Sequence, residues 1–443
     1  MVASLLLIGL DTTMAYLALP SLMVELPIGD MAVRLVLIAY FATFGVLLLP
    51  LSALGDRIGQ HRLLLAGLVL FGAGAAVTAF ATTSVPLVLA RVVMGAGAAV
   101  VMPTALALLP GLVDPSARPK VLAGASAAVI LGVCLGPLLG GWLLEHFWWG
   151  SVFLVHVPVV LLALVTVALL PPGGAGATRA APARGSWTGW PIPVLGLVYA
   201  LLMGVLFVVT PYLRGVGDSS GLGLGLRLLP LVAGLLLGVA VGERLGRRVG
   251  PRPVVVAGMV VLGGGLLALT TVDAGTGISQ VAAILAAAGV GSGLSLAAGL
   301  RAASAAAPDD FFGVMRRTTA ARQVGAGVGV AILGITLVLR YRDRLDQAVP
   351  AAPEAARDHL GGALATGEPA LQLAARLAYV DGLHAAAVAG VVLAALAAAL
   401  PFLLNDRSAE IPTAVPAPEQ PASRGRWRRT GSAAVGSRPA GGH

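Results

Sequence analysis

Apolar residues in this chain gather into long runs, parted by short stretches where glycine, proline and arginine collect. A helix rises about 1.5 Å per residue, so about twenty apolar residues cross a hydrocarbon core of about 30 Å. Taken in order, the runs predict twelve spans, the first six over 2–23, 33–54, 62–81, 84–109, 121–144 and 151–170. The second six fall over 191–212, 221–242, 253–272, 277–300, 320–340 and 380–404. Strands of a membrane barrel would alternate polar and apolar positions, and these runs do not. The pattern therefore predicts an all-α polytopic membrane protein in two blocks: a six-helix half over 1–170, a Pro/Gly/Ala-rich linker over 171–190 and a second half over 191–404. Two segments lie outside the spans. Residues 341–378 carry Arg342, Asp343, Arg344, Asp346, Glu354, Arg357 and Asp358 and read as an extracytoplasmic loop, partly helical. Residues 405–443 hold Pro412, Pro416, Pro418 and Pro421, then Arg424, Arg426, Arg428 and Arg429, and read as a disordered basic tail.

Composition agrees. Of 443 residues, 58% are hydrophobic and 11% charged, with a mean hydropathy of +0.92, more apolar surface than a soluble chain can bury. The 59 glycines suit close helix packing in lipid, where small residues replace the hydrophobic drive. Cys134 is the one cysteine, which excludes an internal disulfide and a cysteine-based metal site, and the six histidines are scattered. Loops after even-numbered spans hold fourteen basic residues, and short loops after odd-numbered spans hold only Arg34 and Arg214. The positive-inside rule then places both termini in the cytoplasm and explains the net charge of +9 without nucleic acid. Arginine so outnumbers lysine (Lys120 stands alone) that a bacterial source with a GC-rich genome is expected.

Against this background a few residues stand out. Asp11 and Arg91 lie well inside apolar spans, where a charge costs roughly 2.5–3.5 kcal/mol on insertion scales. Each must face the bundle interior. Asp11 is a candidate proton or cation site, with a hydrogen-bond partner for a neighbouring helix as the bland alternative. Arg91 stays charged in any surroundings, so it can tune a carboxyl or brace a gate, or serve as structural glue. Met94, Gly95 and Gly97 follow it and predict tight packing.

In the fifth span Gly132, Gly136 and Gly140 fall on one helix face, beside Pro137 and Gly141. The stripe lets a neighbouring backbone approach, and Pro137 removes a backbone donor and bends the helix. Ordinary packing and a mechanical seam are both open on the glycines alone. Gly55-Asp56-Arg57-Ile58-Gly59 after the second span is echoed by Gly242-Glu243-Arg244-Leu245-Gly246 after the eighth. A competing register pairs Arg57-Ile58-Gly59 with Arg248-Val249-Gly250. Either implies two halves related by a pseudo-two-fold axis along the membrane normal.

Together these pieces resemble the major facilitator superfamily. The stretch Asp11 to Pro20 is similar to the first-helix signature of its drug:proton antiporter subfamily with fourteen-span members, with Tyr16 where asparagine is usual. Ser52 to Leu64 resembles the superfamily's loop motif, with Ser52 in place of a glycine and Gln60 and His61 in place of a basic pair. Leu87 to Ala99 looks like the fourth-helix motif built on an arginine, and Gly132 to Gly141 like the fifth-helix antiporter motif. Arg322-Gln323-Val324-Gly325 with Gly327 resembles the penultimate span. The resemblance covers about residues 1–404, with the central helix pair of the fourteen-span members missing.

What the resemblance implies is a major facilitator fold and a proton-coupled antiporter that exports small amphipathic or cationic compounds from a bacterial inner membrane. Asp11 and Arg91 would couple the proton, Gly55, Asp56, Arg57 and Gly59 would form a cytoplasmic gate, and Gly132, Gly136, Pro137, Gly140 and Gly141 the antiporter seam. Tyr16, Met94, Tyr199, Met203 and Phe207 are candidates for the cavity wall, since aromatic and methionine side chains suit varied ligands. The implied partners are a small-molecule substrate, protons and the bilayer, on a monomer with no cofactor and no metal. An importer or uniporter on the same fold, and a transport-inactive sensor, stay open. No His-Glu-x-x-His or cysteine pair occurs, so an enzyme is not expected.

Overall fold

The computed structural model describes residues 2–26, 29–109, 113–169, 189–216, 220–307 and 310–404. The tail over 405–443 lies outside the described residues, as does the linker but for its last two positions. Each apolar run is helical: α1 Val2–Glu25, α2 Asp30–Ile58, α3 Gln60–Ala79, α4 Ser84–Leu108 and α5 Arg118–His146. The sixth run forms a short α6, Ser151–Leu154, and α7, His156–Ala168. Then follow α8 Pro191–Pro211, α9 Gly221–Val249, α10 Pro251–Leu269, α11 Ile278–Ala305 and α12 Phe311–Ala348. Two short helices, α13 Glu354–Asp358 and α14 Leu360–Ala365, precede α15 Pro369–Leu403. Twelve stretches are long and apolar enough to cross a membrane, and no strand occurs among the described residues.

Two halves emerge from which helices touch. In the first, α1 packs on α5, α4 on α2 and α3, and α3 on α7. In the second, α8 packs on α12, α11 on α9 and α10, and α10 on α15. Each pairing recurs six spans later, as does the contact between halves: α5 meets α9, and α12 meets α2. A pseudo-two-fold axis running along the helices requires this. The turns repeat as well. Gly59 joins α2 to α3 at φ 92°, and Gly250 joins α9 to α10 at φ 86°, in the half of backbone space where a side chain is strained. Arg57-Ile58-Gly59 therefore corresponds to Arg248-Val249-Gly250. Gly246, which the other register would pair with Gly59, lies inside α9.

Helix ends depart most from the sequence pattern. The eleventh span, α12, begins at Phe311, not 320, so Arg316, Arg317 and Arg322 belong to a helix and not to a loop. It runs for 38 residues, about 57 Å, well beyond the hydrocarbon thickness. Most of 341–378 is helical too, as continuations of α12 and α15 around the short α13 and α14. Arg342 holds Asp358 at 2.7 Å, and the buried Tyr341 hydroxyl donates to the Ala356 carbonyl at 2.6 Å. Their polar residues pair with one another, which is why a charged sequence can stay ordered there.

Candidate functional site

Asp11 and Arg91, eighty positions apart in the sequence, meet in the first half: Arg91 Nη1 donates to Asp11 Oδ1 at 2.9 Å, and both side chains are sealed from solvent. Glycine packing around α4 makes the meeting possible. A Cβ on Gly95 would come within 2.6 Å of the Tyr40 carbonyl oxygen, and one on Gly97 within 2.6 Å of the Phe71 amide nitrogen. Helices α2 and α3 thus close on α4 just past the arginine. Arg91 makes further contacts: Nε reaches the Val36 carbonyl at 3.1 Å, and the guanidinium lies 4.2 Å from the Tyr40 ring centre and 5.4 Å from that of Phe153. Met94 brings its sulfur to 3.5 Å from Nη1.

Taking two charges out of water costs several kcal/mol per ion, which pairing, hydrogen bonds and ring faces must offset. The offset is incomplete. Asp11 Oδ2, the Tyr16 and Tyr40 hydroxyls and His156 Nε2 are buried without a hydrogen-bond partner. Each such group costs about 1–3 kcal/mol. A site built for rigidity would satisfy them.

The seam on α5 serves two neighbours. Gly132 and Gly136 face α1: a Cβ on Gly132 would overlap the backbone of Leu6 and Leu10, and one on Gly136 the Thr13 hydroxyl. Gly140 looks toward Met14 and Leu17 on the same helix. Pro137 leaves the Val133 carbonyl without its usual amide, and Thr13 Oγ1 lies 3.4 Å from it and equally 3.4 Å from the Leu10 carbonyl of its own helix. Gly141 instead faces the second half, where a Cβ would come 2.6 Å from the Gly221 carbonyl, and Gly225 packs against the Pro137 carbonyl. Glu145 Oε2 adds a bond from the Leu222 amide at 3.0 Å. One short segment thus touches both the helix that carries Asp11 and the opposite half.

At the far end of the bundle, Gly55 packs on the Gln60 side chain and Arg57 is exposed. The side chain of Asp56 lies outside the described residues. The contact that crosses the halves here is one the sequence did not reveal: Arg316 Nη1 donates to Ser52 Oγ at 3.4 Å. Of the wall candidates, Tyr16 and Met94 are buried with the ion pair, and Met203 is buried on α8. Tyr199 carries the Arg322 guanidinium 5.2 Å from its ring centre, and Arg322 also donates to Thr319 at 3.0 Å. Phe207 lines a cavity of about 240 Å³ with Glu25, Arg214, Tyr341, Asp358 and His359. Sequence reasoning missed Tyr40, Phe153 and His156 around the pair. For His156 the signal was present, an ionisable residue inside an apolar run, but it was read with the other histidines.

Twelve candidate spans in two repeated halves, with the sealed Asp11–Arg91 pair inside the first, define a two-bundle membrane transporter scaffold. The sequence profile of the Major Facilitator Superfamily matches residues 1–334, and the chain belongs to that family, whose members are transporters and not enzymes. The methyl viologen resistance protein SmvA of Salmonella typhimurium is 38% identical over 170 residues, 38% of this chain and 34% of that protein, so the match spans about a third of that relative. The multidrug efflux pump LfrA of Mycolicibacterium smegmatis is 29% identical across 89% of this chain and 93% of its own length. That alignment runs over 468 positions, more than this chain supplies, so LfrA carries segments absent here. Among solved structures, a bacterial homologue of the human lysosomal transporter Spinster, inward-facing and occupied, superposes with a TM-score of 0.73. It is 19% identical and covers 90% of this chain and 96% of its own, a likeness of fold.

Proposed function

We propose that this chain is a proton-coupled antiporter that exports small amphipathic or cationic compounds by alternating access. The observation that carries the reading is the sealed Asp11–Arg91 pair at 2.9 Å. While Asp11 is ionised, the guanidinium is held. A proton on the carboxyl removes its charge and weakens the attraction, freeing Arg91 and the helices it ties through Val36 and Tyr40. Because α1 also bears the α5 seam, a change at Asp11 reaches the Gly141–Gly221 contact between halves without a further relay. Ser52–Arg316 and the Gly55–Gly59 turn would act as the opposing gate. A binding event and a proton that favour different states are all that exchange requires. Each inward proton supplies about 2.3 kcal/mol per 100 mV of membrane potential, so no cofactor is needed.

The relatives support the direction of transport: SmvA is named for methyl viologen resistance and LfrA as a multidrug efflux pump. The asymmetry of basic residues supports cytoplasmic termini in a bacterial inner membrane, and the closed arrangement of two halves in one chain supports a monomer. The test uses methyl viologen uptake into inverted vesicles with an imposed pH gradient. Asp11→Asn is expected to abolish gradient-driven uptake while cargo equilibration down its own gradient persists. Undiminished gradient-driven uptake would refute the coupling.

A further inference from the structure

We propose that His156 shares the coupling proton with Asp11, so that the proton site is a carboxylate–imidazole pair held around Arg91. The inference rests on the proton-coupled reading above and names a residue that reading does not use. His156 opens α7 inside an apolar span, is 1% exposed, and stacks edge-on to Phe71 with ring centres 5.9 Å apart. Its Nδ1 lies 3.0 Å from the Phe153 carbonyl, an acceptor only, which fixes the N–H on Nδ1 and leaves Nε2 as a free lone pair. Nε2 has no hydrogen-bond partner, and neither has Asp11 Oδ2. The charged groups of the same cluster are Arg91 on α4, whose guanidinium lies 5.4 Å from the Phe153 ring, and Asp11 on α1, which Arg91 holds at 2.9 Å and whose helix packs on α7. Tyr40, its ring centre 4.2 Å from the guanidinium, and Tyr16, on the helix of Asp11, are buried in the same half. Phe153, whose carbonyl orients His156, is also the ring beneath the guanidinium, so the imidazole and the arginine are positioned by one residue.

The charge arithmetic gives the pair its purpose. With Asp11 ionised, Arg91 charged and His156 neutral, the cluster carries no net charge. One entering proton makes it +1, whether the proton rests on Nε2 or on the carboxylate. In the first case a second cation competes with the guanidinium for Asp11; in the second the carboxylate is gone. Both loosen Arg91. Transfer between them breaks the Nε2–H bond, forms an O–H bond on Asp11 and returns the imidazole to neutrality, with no other reactant. Two such sites titrate as a pair and not as separate groups.

The experiment labels histidine with ¹³C at Cε1 in the full-length protein in micelles and follows each resonance from pH 5 to 9. The His156 signal is assigned by its loss in His156→Asn. Its titration midpoint is expected to move by about one pH unit when Asp11→Asn is introduced, while the other histidines are unmoved. A His156 signal that stays neutral throughout, or that titrates identically with and without Asp11, overturns the proposal. This readout needs no transport, so it separates failure of the shared site from failure of the antiport reading. In vesicles, His156→Asn is expected to move the pH profile of gradient-driven methyl viologen uptake by about one unit. An unchanged profile also overturns the proposal. Loss of uptake in Asp11→Asn alone bears on antiport and leaves the sharing to the resonance titration.

Discussion

The two halves repeat the same helix pairings yet are filled by different chemistry. Between α1, α2, α4 and α7 the first half encloses Asp11, Arg91 and His156, all at 1% exposure or less. In the second half, every ion pair among the described residues has a partner with at least 30% of its side chain exposed. Its interior is closed by backbone contact instead. Gly289 and Gly293 press α11 on α9, Gly291 and Gly258 join α11 to α10, and Gly325 and Gly329 press α12 on α8. The repeated six-helix unit thus keeps its packing geometry, while among the described residues only the first copy seals both members of an ion pair. On the proposed reading, coupling falls to the copy that seals the Asp11–Arg91 pair, because a proton there removes the carboxylate charge that holds the guanidinium.

The largest effect that can break this contrast comes from Arg91. Arg91→Gln leaves the Asp11 carboxylate buried without its cation and is expected to cost about 3–5 kcal/mol of stability, read as an earlier midpoint in SDS-induced unfolding. Arg344→Gln, which removes a half-exposed pair with Asp381 in the second half, should cost about 1 kcal/mol or less. Equal losses would mean that the buried pair is no different from a surface one.

Glycine substitutions sharpen the comparison from the other side. At Gly329 a Cβ would meet the Ala200 backbone, which cannot rotate away, so Gly329→Ala should cost about 1–3 kcal/mol. At Gly136 the obstacle is the Thr13 hydroxyl, which can rotate, at the expense of its approach to the Val133 carbonyl. Gly136→Ala is therefore expected to lose less stability than Gly329→Ala and more methyl viologen uptake. The opposite order would show the α5 seam to be simple packing.

The repeat register supplies the smallest contrast. Gly250→Ala places a side chain at φ 86°, ψ 163° and should cost about 1–3 kcal/mol. Gly246→Ala, inside α9 with Arg301 Cδ at 3.4 Å as its nearest neighbour, should be neutral or gain up to about 1 kcal/mol. If the two behaved alike, the pairing of Gly59 with Gly250 would fail.

The sequence by itself determined the twelve spans, their division into halves and the two charges that had to be inside. Each follows from the energy of placing a residue in hydrocarbon, a property that one residue and its neighbours in sequence already possess. The glycine stripe was legible for the same reason, since helical periodicity puts Gly132, Gly136 and Gly140 on one face. Helix ends were less so: beyond the apolar core, hydropathy no longer marks where a helix stops, so α12 begins nine residues before its apolar run and outlasts it. Only the tertiary structure decided that Asp11 pairs with Arg91, that Thr13 comes within reach of the carbonyl freed by Pro137, and that His156 is set apart from the other histidines. It also decided that Gly59 matches Gly250, because a positive φ is a property of the folded turn. Those facts depend on which helix faces meet across the bundle, and a contact between residues eighty positions apart leaves no mark on the composition of either span.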